Sequence, residues 1–159
     1  MVNEVINAVR SLTKWSRSME LILQTCALKY EEKVMDIKFY FCKHCGKIIT
    51  MVNNANTPTI CCGEEMQELE PGVTDGIYEK HVPEVSVNKG KVSVQVGKIM
   101  HPMSEEHYIQ WILLQTDKGI YMKELTYEDK PKVDFFISKN ESIIGVYSYC
   151  NLHKLWKNS

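Results

Sequence analysis

Apolar and polar residues alternate through much of the second half of the chain. Val85 and Val87, then Val92, Val94 and Val96, stand two apart with mostly polar residues between them, the period of a strand with one buried face. Tyr108 to Gln115, Ile120 to Leu125, Val133 to Ile137 and Ile143 to Tyr149 are further short runs rich in apolar and aromatic residues. Lys89-Gly90, Asp117-Lys118-Gly119 and Lys139-Asn140 separate them as turns. No convincing helical period interrupts this region. The pattern predicts roughly seven short strands in an antiparallel β-sandwich.

The first half reads differently. Val2, Val5, Ile6, Val9 and Leu12 recur at helical spacing and predict an amphipathic helix from Asn3 to Met19. A secretory signal does not fit, because Leu21-Ile22-Leu23 is too short an apolar core, Glu20 interrupts its approach and no small-x-small site follows. Thr25 is a poor neighbour for a lipoprotein cysteine, so Cys26 reads as a spare thiol. Glu31-Glu32 stands shortly before Met35, and its codons resemble a bacterial ribosome-binding site. Translation is expected to begin at Met35, with residues 1–34 a mis-assigned extension.

From Met35 the punctuation sharpens. Lys38 to Phe41 is a short strand running into Cys42-Lys43-His44-Cys45-Gly46, and Lys47 to Val52 is a second. Asn53 to Pro58 is a loop, and Thr59-Ile60 leads into Cys61-Cys62-Gly63. Glu64 to Glu70 closes this unit, and Pro71-Gly72 marks its boundary. The predicted organisation is an extension (1–34), a small metal module (35–71) and a β-sandwich (72–159).

Composition narrows the class. The 159 residues are 44% hydrophobic and 25% charged, ordinary values for a globular protein. A formal net charge of −1 argues against a strongly basic nucleic-acid binder, and no apolar run reaches the roughly 18 residues of a membrane span. Six cysteines invite a disulfide reading, but Cys42-x-x-Cys45 and adjacent Cys61-Cys62 group as one metal cluster instead. Reduced thiols point to the cytoplasm.

Four clustered cysteines suit a tetrahedral sulfur site for iron or zinc. Neighbouring cysteines cannot both adopt the wrap of a Cys-x-x-Cys knuckle, so the tetrahedron is expected to be distorted. His44, between two of the cysteines, is expected to face solvent and is not counted. A second group is spread through the sandwich. Cys150 and His153 end the last apolar run, His81 precedes a strand, and His101 and His107 bracket a loop. All five could meet at one end of the sandwich, where thiolate and imidazole together suit iron, copper or zinc.

These motifs resemble desulfoferrodoxin, the two-iron form of superoxide reductase. The resemblance rests on Cys42-x-x-Cys45 with Cys61-Cys62, Glu79-Lys80-His81-Val82-Pro83, His101-Pro102-Met103, Glu106-His107-Tyr108 and Cys150-Asn151-Leu152-His153, and runs from Met35 to Lys157. It implies an all-β chain: a rubredoxin- or desulforedoxin-like module followed by an immunoglobulin-like antiparallel sandwich. It further implies two irons. One is held by Cys42, Cys45, Cys61 and Cys62. The other has His81, His101, His107 and His153 in a plane and Cys150 axial, with an open sixth position for superoxide, or for Glu79 in the oxidised resting state. Lys80 would line that pocket and attract the anion; its plainer reading is a solvated surface lysine. The resemblance also implies rubredoxin or a similar reductant as donor, and a homodimer. The Fe(Cys)4 centre would be an electron relay or a structural element. Lys154 departs from the pattern, standing where the family has glycine, so that turn is expected to differ.

Two other readings compete. A cupredoxin-like electron carrier would use Cys150, His153 and a further histidine for copper, although no methionine follows His153 closely. A structural zinc module would use only the cysteines and leave the histidines elsewhere on the surface.

Overall fold

Two strands carry the architecture because both of their faces are buried. In the computed structural model, which describes residues 35–158 except 75, they are β8 (Ile109–Thr116) and β11 (Ile143–Cys150), hydrogen-bonded to each other in the middle of a four-stranded sheet. The sheet runs β12–β11–β8–β9, with β9 at Ile120–Glu124 and β12 at Lys154–Asn158. A three-stranded sheet, β10–β7–β6, covers one face; β6 is Pro83–Asn88, β7 Lys91–Val96 and β10 Lys132–Phe136. Val92, Val94 and Val96 pack between the sheets against Ile112, Leu114, Phe135 and Val146.

The opposite face is covered by the segment that begins the described chain. Strands β1 (Phe39–Phe41), β2 (Ile48–Thr50) and β5 (Gln67–Leu69) form a small sheet in the order β2–β1–β5. From it Ile37 and Phe39 pack onto Trp111, Leu113, Tyr147, Tyr149 and Leu155. Phe39 stacks on Trp111 at 5.2 Å, and Trp111 on Tyr149 at 5.4 Å. Alternate residues of β8 therefore serve different cores: Ile112 and Leu114 the sandwich, Trp111 and Leu113 the module. Side chains of this size contribute roughly 1.5–3 kcal/mol each when fully removed from water. This is why Trp111-Ile112-Leu113-Leu114 is continuously apolar rather than alternating.

Seven antiparallel strands, β6 to β12, make the sandwich, the first six of them where the pattern predicts strands. Two elements depart from the sequence reading. Tyr78–His81 forms one helical turn, α1, in a region whose sequence carries no helical period. Lys154–Asn158 is a strand, β12, although Lys-Leu-Trp-Lys-Asn carries no clear alternation. It forms because Leu155 and Trp156 are both buried and the hairpin after Cys150 returns them along β11. The predicted helix at Asn3–Met19 and Cys26 lie outside the described residues. Among the described residues no helix is long and apolar enough to cross a membrane.

Candidate metal centres

The cysteine cluster is shaped by two reversals. Gly46, at φ 74°, turns the chain after Cys45, and its N–H donates to the Cys42 carbonyl at 3.0 Å. Strands β3 (Ile60–Cys61) and β4 (Glu64–Glu65) are joined by Cys62-Gly63, both at positive φ, 52° and 83°. Two successive left-handed residues are the requirement of a tight hairpin that follows the natural strand twist. Cys61 and Cys62 thus sit on a hairpin tip, not a second knuckle. Cys45 Sγ lies 3.7 Å from Cys61 Sγ, which lies 3.9 Å from Cys62 Sγ. A tetrahedral metal with sulfur bonds of about 2.3 Å has edges of about 3.8 Å. All four sulfurs lie within 4.8 Å of one another, so the donor set fits.

The thiols are unlike one another. Hydrogen bonds from the Cys45 and His44 backbone, the former the larger effect, pull Cys42 down to about 6 despite some desolvation. Bonds from Cys62 toward Cys45 and Cys61 hold its own proton and push it up to about 12. His44 is exposed and pairs with Glu64 at 3.0 Å, as expected of a residue outside the cluster.

The second cluster lies at one end of the sandwich. His81 ends α1, His101 and His107 flank a loop pinched by a Ser104–His107 bridge, and Cys150 ends β11 with His153 in the following turn. Four imidazoles form a closed square. Neighbouring centroids are 4.7 Å (His81–His101), 4.5 Å (His101–His107), 4.9 Å (His107–His153) and 4.6 Å (His153–His81), each pair at 71–78°. Across the square, His81 and His107 are 6.1 Å apart. Cys150 Sγ approaches His153 Nδ1 at 3.7 Å.

The outer ring atoms identify which nitrogens face inward. His81 Nδ1–H donates to the Ile77 carbonyl at 2.7 Å and His101 Nδ1–H to the Pro102 carbonyl at 2.5 Å, leaving Nε2 for the centre. His153 turns its Nδ1 inward, 2.9 Å from His81 Nε2. That is close to the edge of about 3 Å between adjacent nitrogens on one metal with bonds of about 2.1 Å. His101 Nε2 and His107 Nε2 are buried with no hydrogen-bond partner. Orphaned buried nitrogens are costly unless something binds them. A metal ion resolves that deficit.

Burial lowers the proton affinity of His81, His101 and His107, His101 to about 4, so these rings stay neutral and able to donate. Burial raises the Cys150 thiol, with backbone N–H groups of His153 and Leu152 opposing it. A bound cation displaces that proton. Glu79 and Lys80 lie on α1, Glu79 exposed and Lys80 half-buried, and Lys80 disfavours protonation of both His81 and His107. Among the described residues no ion pair joins Glu79 to Lys80.

Several supporting residues are not legible as such in the sequence. Trp156 stacks on His81 at 4.9 Å and donates its indole N–H to the His153 carbonyl at 2.9 Å. Thr74 Oγ1 donates to that same carbonyl, and Ser148 Oγ to the His81 carbonyl at 2.9 Å. Asn151 accepts from Tyr108 N–H at 3.0 Å and donates to the Glu106 carbonyl at 2.9 Å, tying the Cys150 turn to the His107 loop. Gly76 and Gly97 have no room for a Cβ, which would meet Trp156 at 2.8 Å and the Ile99 carbonyl oxygen.

The competing readings lose their footing here. Blue-copper ligation uses two histidines and a cysteine with a weak axial ligand, often methionine, whereas four imidazoles gather here and Met103 Sδ accepts Ile109 N–H at 3.4 Å. The histidines are gathered, not scattered over the surface.

Comparison with known proteins agrees with this geometry. The family model described as Desulfoferrodoxin matches residues 73–159. Desulfoferrodoxin from Nitratidesulfovibrio vulgaris is 38% identical over 120 residues, 76% of this chain and 94% of that one. A desulfoferrodoxin homolog from Archaeoglobus fulgidus is 37% identical over 122 residues, 77% of this chain and 96% of its own. The crystal structure of the superoxide reductase from Treponema pallidum matches with a TM-score of 0.66 and 34% identity, over 79% of this chain and 100% of that one. With both clusters in place and these relatives matched along nearly their whole length, the chain belongs to the desulfoferrodoxin family.

Proposed function

We propose that this chain is a superoxide reductase, reducing superoxide with one electron and two protons to one hydrogen peroxide. The observation that carries the reading is the square of four imidazoles, two with orphaned Nε2 atoms, closed by the Cys150 thiol. His81, His101, His107, His153 and Cys150 would hold one iron, and Cys42, Cys45, Cys61 and Cys62 a second. When bound, ferrous iron at the first site supplies the electron and an open position.

The chain's own residues do the rest. Lys80 brings a positive charge to the substrate anion and raises its local concentration. Its influence on His81 and His107 supports a position near the open side. Glu79, exposed on α1, would supply a carboxylate to close the site in the oxidised resting state. The His81 and His101 rings are held by Nδ1–H bonds to backbone carbonyls, which fix the tautomer that presents Nε2.

The Fe(Cys)4 centre serves as an electron relay or as a structural element. We assign the donor to rubredoxin or a similar small reductant, the assembly to a homodimer and the location to the cytoplasm of an anaerobe. Five free thiols among the described residues support a reducing compartment. The division into module (35–71) and sandwich (72–159) is supported by strand pairing, since β1 to β5 pair only among themselves, while the extension (1–34) lies outside the described residues.

Stoichiometry tests the activity. A reductase yields one peroxide per superoxide with no dioxygen; dioxygen evolution would mean dismutation and overturn the reading. Metal analysis with visible spectra of both redox states tests the two irons.

A further inference from the structure

Lys154 occupies a conformation that disfavours it. Its φ is 58°, in the left-handed region, which strains a residue with a Cβ. The side chain does not simply extend into solvent. It is half-buried, and its ammonium lies 4.5 Å from the centroid of the Phe41 ring, a weakly favourable cation–π contact. The contact offsets only part of the strain. Strain retained beside a functional site calls for a functional account.

The position of Lys154 supplies one. Lys154 faces Cys150 in the β11–β12 pairing and directly follows His153. Phe41, which it covers, ends β1 and is bonded to Cys42. Lys154 therefore links the two units, its backbone paired with Cys150 of one cluster and its ammonium seated on the residue that precedes Cys42 of the other.

We propose that Lys154 is a shared electrostatic tuning residue, raising the reduction potentials of both iron centres. Adding an electron adds negative charge to either cluster, and a nearby cation favours the more negative state. For the His4Cys centre this favours the ferrous form that reacts with superoxide. The proposal rests on the two-iron reading.

The test is an equilibrium redox titration of the full-length, iron-loaded protein, following the visible bands of both centres in Lys154→Gln, Lys154→Arg and Lys154→Gly. Lys154→Gln keeps the backbone demand and removes the charge. At fixed potential it should change the reduced-to-oxidised ratio of both centres about threefold, a fall of about 28 mV at 59 mV per tenfold. Lys154→Arg should leave both potentials in place. Lys154→Gly should lower them as Lys154→Gln does while raising the unfolding temperature, because glycine takes this φ without strain. Should Lys154→Gln not accumulate with iron, Lys154→Gly makes the same charge test.

Unmoved potentials in a protein with two irons and two couples overturn the proposal alone. So does a shift at one centre only, or an equal shift in Lys154→Arg. A wild type with a single redox couple would overturn the two-iron reading and this proposal with it.

Discussion

Trp156 stacks on His81 with their planes 24° apart, and its indole N–H holds the carbonyl of His153, so one buried side chain sets two corners of the imidazole square. Trp156 is 2% exposed, and Gly76 packs so closely that a Cβ there would come within 2.8 Å of its ring and 2.9 Å of His153. The relationship makes the last strand part of the metal centre, although β12 contributes no donor atom itself.

Trp156→Phe keeps an aromatic ring over His81 but loses the bond to His153. It should weaken iron retention about 10- to 100-fold, the usual effect of losing an outer-shell contact. Chelator challenge of wild type and variant at equal iron loading measures this. Equal retention would show that packing alone holds the histidine.

Cys62→Ser should abolish or distort the Fe(Cys)4 spectrum and leave most superoxide reduction intact, because the other cluster has five donors of its own. Loss of all activity in a folded Cys62→Ser protein would show that the centres are not independent.

Cys150→Ser exchanges a soft thiolate for a hard hydroxyl and should remove the sulfur-to-iron charge-transfer band and weaken iron binding. An unchanged band and full activity would remove Cys150 from the site.

Lys80→Ala should slow the encounter with superoxide about tenfold and flatten its dependence on ionic strength, since a local attractive charge is gone. Glu79→Ala should leave the encounter near normal and change only the spectrum of the final oxidised state. Pulse radiolysis across a salt series reads both. A wild-type rate and salt slope in Lys80→Ala would return it to the solvated surface.

The metal-free protein should be acid-sensitive. Burial holds His101 at about 4 in the fold, against about 6.5 in an unfolded chain. Between these values the unfolded chain binds a proton that the native state does not, so stability falls as pH falls. The penalty is absent above about pH 6.5 and complete below about pH 4. Denaturant midpoints of the metal-free protein measured from pH 7 to pH 4 should therefore decline, and His101→Asn should decline less.

The sandwich strands, the turns between them and the membership of both clusters were legible in the chain itself. Alternation reports a half-buried strand directly, as in Val92, Val94 and Val96, and cysteine spacing reports a sulfur site because few other demands place four thiols so closely. What spacing could not convey was the role of residues that donate no electrons to a metal. Trp156, Thr74, Ser148, Asn151 and Gly76 act through contacts made by chain segments far apart in sequence.

Tertiary structure also decided the two elements that periodicity missed. β12 exists because β11 offers it a paired edge, Leu155 joins the core under the module and Trp156 is buried against His81, while in α1 the His81 Nδ1–H holds the Ile77 carbonyl and leaves Nε2 facing inward. Likewise Trp111-Ile112-Leu113-Leu114 shows a strand but not its two partners, which appear only when the module covers the second face. The sequence by itself determined which atoms are available as donors and where strands begin and turn. Only the folded chain decided which nitrogen of each ring faces the centre and where the charge of Lys154 comes to rest, because those depend on hydrogen bonds and packing between residues that the sequence keeps far apart.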